Sequence, residues 1–166
     1  MSGTGATVDA LVERLGQALR RRGARIATAE SCTGGLIAAA CTAQAGSSDW
    51  FERGVVTYSN AAKTELLGVP GPLIVAHGAV SAEVAEAMAD GAVARFPVSF
   101  AVSVTGIAGP TGGSADKPVG TVWIGLAGAG EPAVATLLRA TGDRAAIRAA
   151  SVARALEILL ARCEAG

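Results

Sequence analysis

The chain is short of most side chains that hydrolytic chemistry commonly uses. In 166 residues it has one histidine, His77, and two lysines, Lys63 and Lys117. A Ser-His-Asp triad would have to use His77, which falls in an apolar loop with nothing to place it beside a nucleophile. The three cysteines, Cys32, Cys41 and Cys163, show neither metal-ligand spacing nor an even disulfide framework. No HExxH, CxxC or carboxylate cluster is present, so no metal site is expected. Formal net charge is zero, and the longest basic run is Arg20-Arg21-Arg22 at the end of a predicted helix. That run complements the helix dipole, and without a basic face no nucleic-acid partner is expected. No apolar stretch approaches the ~20 residues of a membrane span, and the N-terminus lacks a signal-peptide pattern. Free thiols in a reducing, cytoplasmic setting are the expectation. The glycine-rich turns match neither GxGxxG nor the P-loop pattern, so no dinucleotide or nucleoside triphosphate cofactor is expected.

What the chain does have is small apolar residues and glycine. Apolar residues make up 51%, with 22 glycines and only six aromatics. A chain of this length buries roughly 70% of its unfolded surface as one domain spanning 1–166. Residues 1–6 read as a flexible leader. Val8, Leu11, Leu15 and Leu19 recur at helical spacing, which predicts a helix Val8–Arg22 stopped by Gly23. Ile26–Ala29 reads as a short buried strand that runs through a Gly-rich turn into an Ala-rich helix ending near Ala43. Phe51–Tyr58 is the second strand. Asn60 is the predicted cap of a helix Ala61–Leu67, and Ser81 caps Ala82–Arg95. Val98–Val104 is a continuous apolar strand, followed by a long loop from Thr105 to Val119. Gly120–Ala127 and Ala133–Leu138 form a hairpin, and Asp143 starts the last helix. Alternating strands and helices predict a three-layer α/β/α sandwich with a mixed, mostly parallel sheet ending in a hairpin. The sparsely charged helix Ala145–Leu160 suits either the core or a homodimer contact.

Serine hydrolysis without histidine has one common physical solution, a lysine base. Such a lysine must lose its proton, so its pKa has to fall from about 10.4 toward the working pH. Lys63 follows Tyr58-Ser59-Asn60 and is flanked by Ala61, Ala62, Leu66 and Leu67, which could desolvate it. Ser31 leaves the C-terminal end of a buried strand, where α/β folds place ligands. Behind it, Thr33, Gly34 and Gly35 open a helix whose amides could serve an oxyanion or a phosphate. Plainer readings stand beside these. Ser31 or Thr33 could simply cap the helix. Lys63 could be a solvated helix lysine, and Tyr58 a half-buried strand aromatic. The Thr105–Pro110 stretch could be turn chemistry alone.

Further motifs are Thr28-Ala29-Glu30-Ser31-Cys32-Thr33-Gly34-Gly35, Gly46-Ser47-Ser48-Asp49-Trp50-Phe51-Glu52-Arg53-Gly54 and Val56-Thr57-Tyr58-Ser59-Asn60-Ala61-Ala62-Lys63. Gly78-Ala79-Val80-Ser81, Val104-Thr105-Gly106-Ile107-Ala108-Gly109-Pro110-Thr111-Gly112-Gly113 and Lys117-Pro118-Val119-Gly120-Thr121-Val122 follow in order. With these the chain resembles the CinA C-terminal domain family in its stand-alone nicotinamide-nucleotide amidase form. The resemblance implies hydrolysis of the carboxamide of nicotinamide mononucleotide (NMN) to nicotinate mononucleotide and ammonia, without metal. It places the nucleophile on Ser31, the base on Lys63 and an assisting tyrosine on Tyr58. Candidate contacts to the nucleotide are Ser47, Ser48, Thr105, Gly106, Gly109 and Arg144, beside Thr33, Gly34 and Gly35. Many family members carry a further N-terminal domain, for which this chain has no counterpart, so only the amidase half is expected. A catalytically silent nucleotide-binding regulatory module is the alternative, although such a binder needs neither Ser31 nor Lys63.

Overall fold

The computed structural model describes residues 6–166, so five of the six leader residues lie outside it. Helix α1 (Val8–Arg22) begins at Thr7, whose hydroxyl accepts the Ala10 amide, and ends at Gly23 with φ 59°. Its buried face includes Leu11, Val12, Leu15 and Leu19; Val8 of the predicted face is only partly buried, and Val12, Gly16 and Ala18 are buried beside the others. Strand β1 (Ile26–Glu30) follows, buried throughout. Helix α2 (Leu36–Thr42) and a 3₁₀ turn, Ser47–Asp49, lead to β2 (Phe51–Val56). Then come α3 (Asn60–Leu67), α4 (Gly71–His77) and α5 (Ala82–Arg95). Strands β3 (Phe100–Gly106), β4 (Thr121–Gly128) and β5 (Val134–Arg139) precede α6 (Arg144–Glu164).

Three local readings differ from this. Strand β2 stops at Val56, so Tyr58 stands beyond it and is exposed rather than half-buried. Helix α3 is capped by Ser59, whose hydroxyl accepts the Ala62 amide, and Asn60 is its first helical residue. Helix α4 occupies the stretch read as an apolar loop, with His77 as its last residue. Gly71 and Pro72 look like breakers, but proline is tolerated in the first turn, where its missing amide has no helical partner.

The sheet order is β2-β1-β3-β4-β5. Strands β2 and β3 both pair parallel to β1, β4 pairs antiparallel to β3, and β5 pairs antiparallel to β4. Four of the five strands therefore run the same way, with β4 reversed. Helices α1, α2 and α6 cover one face, and α3, α4 and α5 the other, giving the three-layer α/β/α arrangement. The chain leaves β1 to one side for β2 and crosses back to the other side for β3. That reversal opens a crevice at the C-terminal end of β1, the place where such sheets bind ligands.

Helix α6 buries Ile147, Val152, Leu156 and Leu159 within the chain, against α1, β3 and β4. Each such side chain contributes roughly 1.5–3 kcal/mol relative to exposure. The exposed Arg154–Glu157 pair on the same helix adds at most about 0.5 kcal/mol. Burial therefore docks α6, and α6 carries Arg144 and Arg148 to the crevice.

Helix α5 lies close on the sheet because β4 offers it Gly125. A Cβ there would collide with the Ala85 carbonyl and the Ser103 hydroxyl, which are hydrogen-bonded to each other at 2.6 Å. Gly125→Ala is expected to cost about 1–3 kcal/mol by overpacking, read as a melting temperature lower by roughly 3–10 °C. An unchanged melting curve would show that α5 has room to lift.

Candidate active site

The turn after β1 is held from beneath by Glu30. This carboxylate is 1% exposed and has no cationic partner among the described residues. Its oxygens instead accept the Thr33 hydroxyl (2.7 Å), the Ile37 amide (2.9 Å) and the Ala38 amide (3.0 Å). Glu30 thus caps α2 from within and neutralises the positive end of its dipole. Gly34 and Gly35, at φ 57° and 100°, let the chain reverse between the two. The Gly34 amide donates to the Ser31 carbonyl at 3.0 Å. Thr33, Gly34 and Gly35 shape this turn, but none of them lines the adjoining cavity.

Lys63 enters from α3 on the other side of the crevice. It is 1% exposed, the second-largest fully buried side chain after Trp50. Its Nζ lies in hydrogen-bond contact with Ser31 Oγ at 3.1 Å, donates to the Thr57 carbonyl at 2.8 Å, and approaches the Tyr58 carbonyl at 3.5 Å. No carboxylate pairs with it among the described residues. Burial therefore lowers its pKa from the ordinary lysine value, and only a Cys32 thiolate would oppose this. Burial also pushes the Cys32 thiol up to about 11, so at neutral pH it is uncharged and offers no counter-ion. An amine without a carboxylate, in contact with a serine hydroxyl, is poised to act as a base.

A cavity of about 280 Å³ opens above this pair. Ser31, Lys63, Tyr58, Thr105, Gly106, Gly109 and Arg144, all proposed from the sequence, line it together. Arg144 donates to the Gly109 carbonyl (2.8 Å) and to the Tyr58 hydroxyl (3.2 Å), bridging the two walls of the mouth. Tyr58 thus meets Lys63 through its backbone and Arg144 through its phenol. Thr105 donates to the Ala79 carbonyl at 2.8 Å, tying β3 to the segment before α5.

Ser47 and Ser48 lie elsewhere. They precede Phe51, which pairs with Ile26 at the start of β1, whereas the cavity lies beyond Glu30 at its end. Strand length separates them from Ser31. His77 does not line the cavity; it faces Glu83 at 3.5 Å, and its carbonyl accepts the Lys117 ammonium. Sequence reasoning missed Asn60, Cys32 and Thr111 in the lining, and missed Arg148. Arg148 donates to the Cys32 carbonyl (3.1 Å) and the Thr33 carbonyl (3.3 Å). Its place four residues after Arg144, on the same face of α6, was the available signal. Among the described residues no three His, Cys, Asp or Glu side chains stand together as a metal site, and no helix is long and apolar enough to cross a membrane.

The model of the CinA C-terminal domain matches residues 8–163. The nicotinamide-nucleotide amidohydrolase PncC of Pseudomonas putida is 54% identical over 92% of this chain and 95% of its own length. That of Escherichia coli K12 is 51% identical over 90% of each. The crystal structure of the competence/damage inducible protein CihA from Agrobacterium tumefaciens superposes with a TM-score of 0.90 at 45% identity, covering 97% of this chain and 98% of that one. With a match across almost its whole length, this chain belongs to the CinA C-terminal domain family.

Proposed function

We propose that the chain is a serine/lysine amidohydrolase that converts NMN and water to nicotinate mononucleotide and ammonia. The observation that carries this reading is the buried Lys63–Ser31 contact of 3.1 Å at the floor of the cavity. Amidohydrolase relatives at about half identity supply the substrate class.

A neutral lysine has two N–H bonds and one lone pair. In the resting site the two N–H bonds go to the Thr57 and Tyr58 carbonyls, which can only accept. The lone pair then faces the Ser31 hydroxyl. Lys63 takes the Ser31 proton as Oγ attacks the carboxamide carbon, giving a tetrahedral oxyanion. Collapse breaks the C–N bond, and the proton on Lys63 leaves with the amine as ammonia. Water then attacks the acyl-serine ester, giving its proton to Lys63, which returns it to Ser31 as the acid departs. The direct contact makes a relay through the Tyr58 hydroxyl unnecessary. Arg144 and the loop after β3 face the nucleotide end of the substrate, where a cation and free amides suit an anion. The route uses no metal.

Ammonia release should be measured with NMN, nicotinamide, NAD and glutamine. Release from NMN alone is expected. Binding of NMN without ammonia would instead favour a silent regulatory module, and release from another carboxamide would reassign the substrate.

A further inference from the structure

The oxyanion formed in this reaction needs donors, and the α2 helix start cannot supply them in the usual way. Among the backbone amides between Ser31 and Ala38, most are claimed. Ser31 donates to the Val104 carbonyl, Gly34 to Ser31 and Leu36 to Thr33. Ile37 and Ala38 donate to Glu30. The Thr33 and Gly35 residues do not line the cavity. Cys32 does line it, follows the nucleophile directly, and its amide has no backbone acceptor among the described residues; only its own thiol, a weak acceptor, lies within reach.

What holds that amide in place leads to a residue outside the cavity. In a trans peptide the C=O and N–H point in opposite directions. The Ser31–Cys32 peptide has its carbonyl pinned by the Gly34 amide at 3.0 Å, so its N–H points away from the turn. The Thr33–Gly34 peptide, which supplies that Gly34 amide, has its own carbonyl pinned by Arg148 Nη2 at 3.3 Å. Arg148 Nε holds the intervening Cys32 carbonyl at 3.1 Å. A continuous line therefore runs from the Arg148 guanidinium through two peptide units to the Cys32 N–H. Hydrogen bonds in such a chain polarise one another, and a full positive charge at its head strengthens the donor at its end.

We propose that Arg148 is a positioning residue that orients and polarises the Cys32 amide as an oxyanion donor. This rests on the amidase reading above. Arg148 touches neither substrate nor Ser31; it acts through the backbone. Its contribution is confined to the transition state, because the ground-state carboxamide oxygen carries little charge to stabilise.

The test compares wild type, Arg148→Met and Arg148→Lys with NMN and with its thiocarboxamide analogue. Arg148→Met should lower kcat about 10²-fold with KM nearly unchanged, the size expected for loss of one oxyanion donor. Arg148→Lys, which keeps the charge but not the two-pronged fork, should recover part of the loss. Sulfur is a poor acceptor, so wild type should favour the carboxamide strongly and Arg148→Met should lose much of that preference. A merely structural arginine would lower the melting temperature and leave the oxygen-to-sulfur ratio alone, and that result would overturn the relay. So would a kcat for Arg148→Met within about twofold of wild type. A wild-type chain inactive on NMN would overturn the functional reading, and the relay with it.

Discussion

Ser31→Ala is expected to abolish ammonia release from NMN, with a loss of about 10⁴-fold or more in kcat. Among the described residues this hydroxyl is the one nucleophile hydrogen-bonded to Lys63, and alanine leaves no atom to form the acyl bond. The neighbouring Cys32 thiol cannot take over, because burial holds its pKa near 11 and keeps it protonated at working pH. The turn itself should survive: its hydrogen bonds use the Ser31 backbone, the Glu30 carboxylate and the Arg148 guanidinium, none of which the substitution touches. NMN should therefore still bind, as calorimetry would show, while turnover disappears. Wild-type turnover by the alanine variant would remove Ser31 from the mechanism.

Lys63→Arg is the second large effect, expected to lower kcat by about 10³-fold or more, since an arginine base cannot shed its proton. Because burying a guanidinium there without a carboxylate would also strain the fold, Lys63→Met is the companion variant, of similar length and no charge. Both should fail. The pH profile separates the base from a mere filler. In wild type, kcat/KM should rise with pH as Lys63 loses its proton, and this limb should lie below the ordinary lysine range because burial disfavours the charged form. Residual activity in Lys63→Met should lack that limb. A variant that retained it would assign the titration to another group.

The pairing of Ser31 with Lys63 was within reach of the sequence. Scarcity did the work: with one histidine and two lysines, elimination left few bases, and the family resemblance pointed to one of them. The burial of Lys63 was only half legible: Leu67, four residues on, shares its face and is buried, but the flanking Leu66 is exposed, and a solvated helix lysine fitted the same pattern. What was not legible was direction along a strand. Ser47 and Ser48 sit close to β2 in sequence, as Tyr58 does, but they precede the strand and Tyr58 follows it, so one end of the sheet takes the serines and the other takes the site. Glu30 hid its role for a different reason. Its carboxylate reaches forward seven and eight residues to Ile37 and Ala38, a cap that no local spacing rule describes. The helix start that looked free to hold an anion was already satisfied from inside. Helix α4 was masked by Gly71 and Pro72, whose breaker character applies to helix interiors and not to a first turn.

The buried lysine has a consequence for the chain as a whole. In the unfolded chain Lys63 is solvated and titrates near 10.4; in the folded chain it titrates lower. Between those two values the unfolded state binds more protons than the native state, so folding releases a proton and stability rises with pH across that window. Below the folded value the buried ammonium weighs against the native state in full. The active site is therefore a standing thermodynamic burden on its own scaffold. Lys63→Met, dead as an enzyme, should be the more stable protein near neutrality, its advantage shrinking as the solution becomes alkaline.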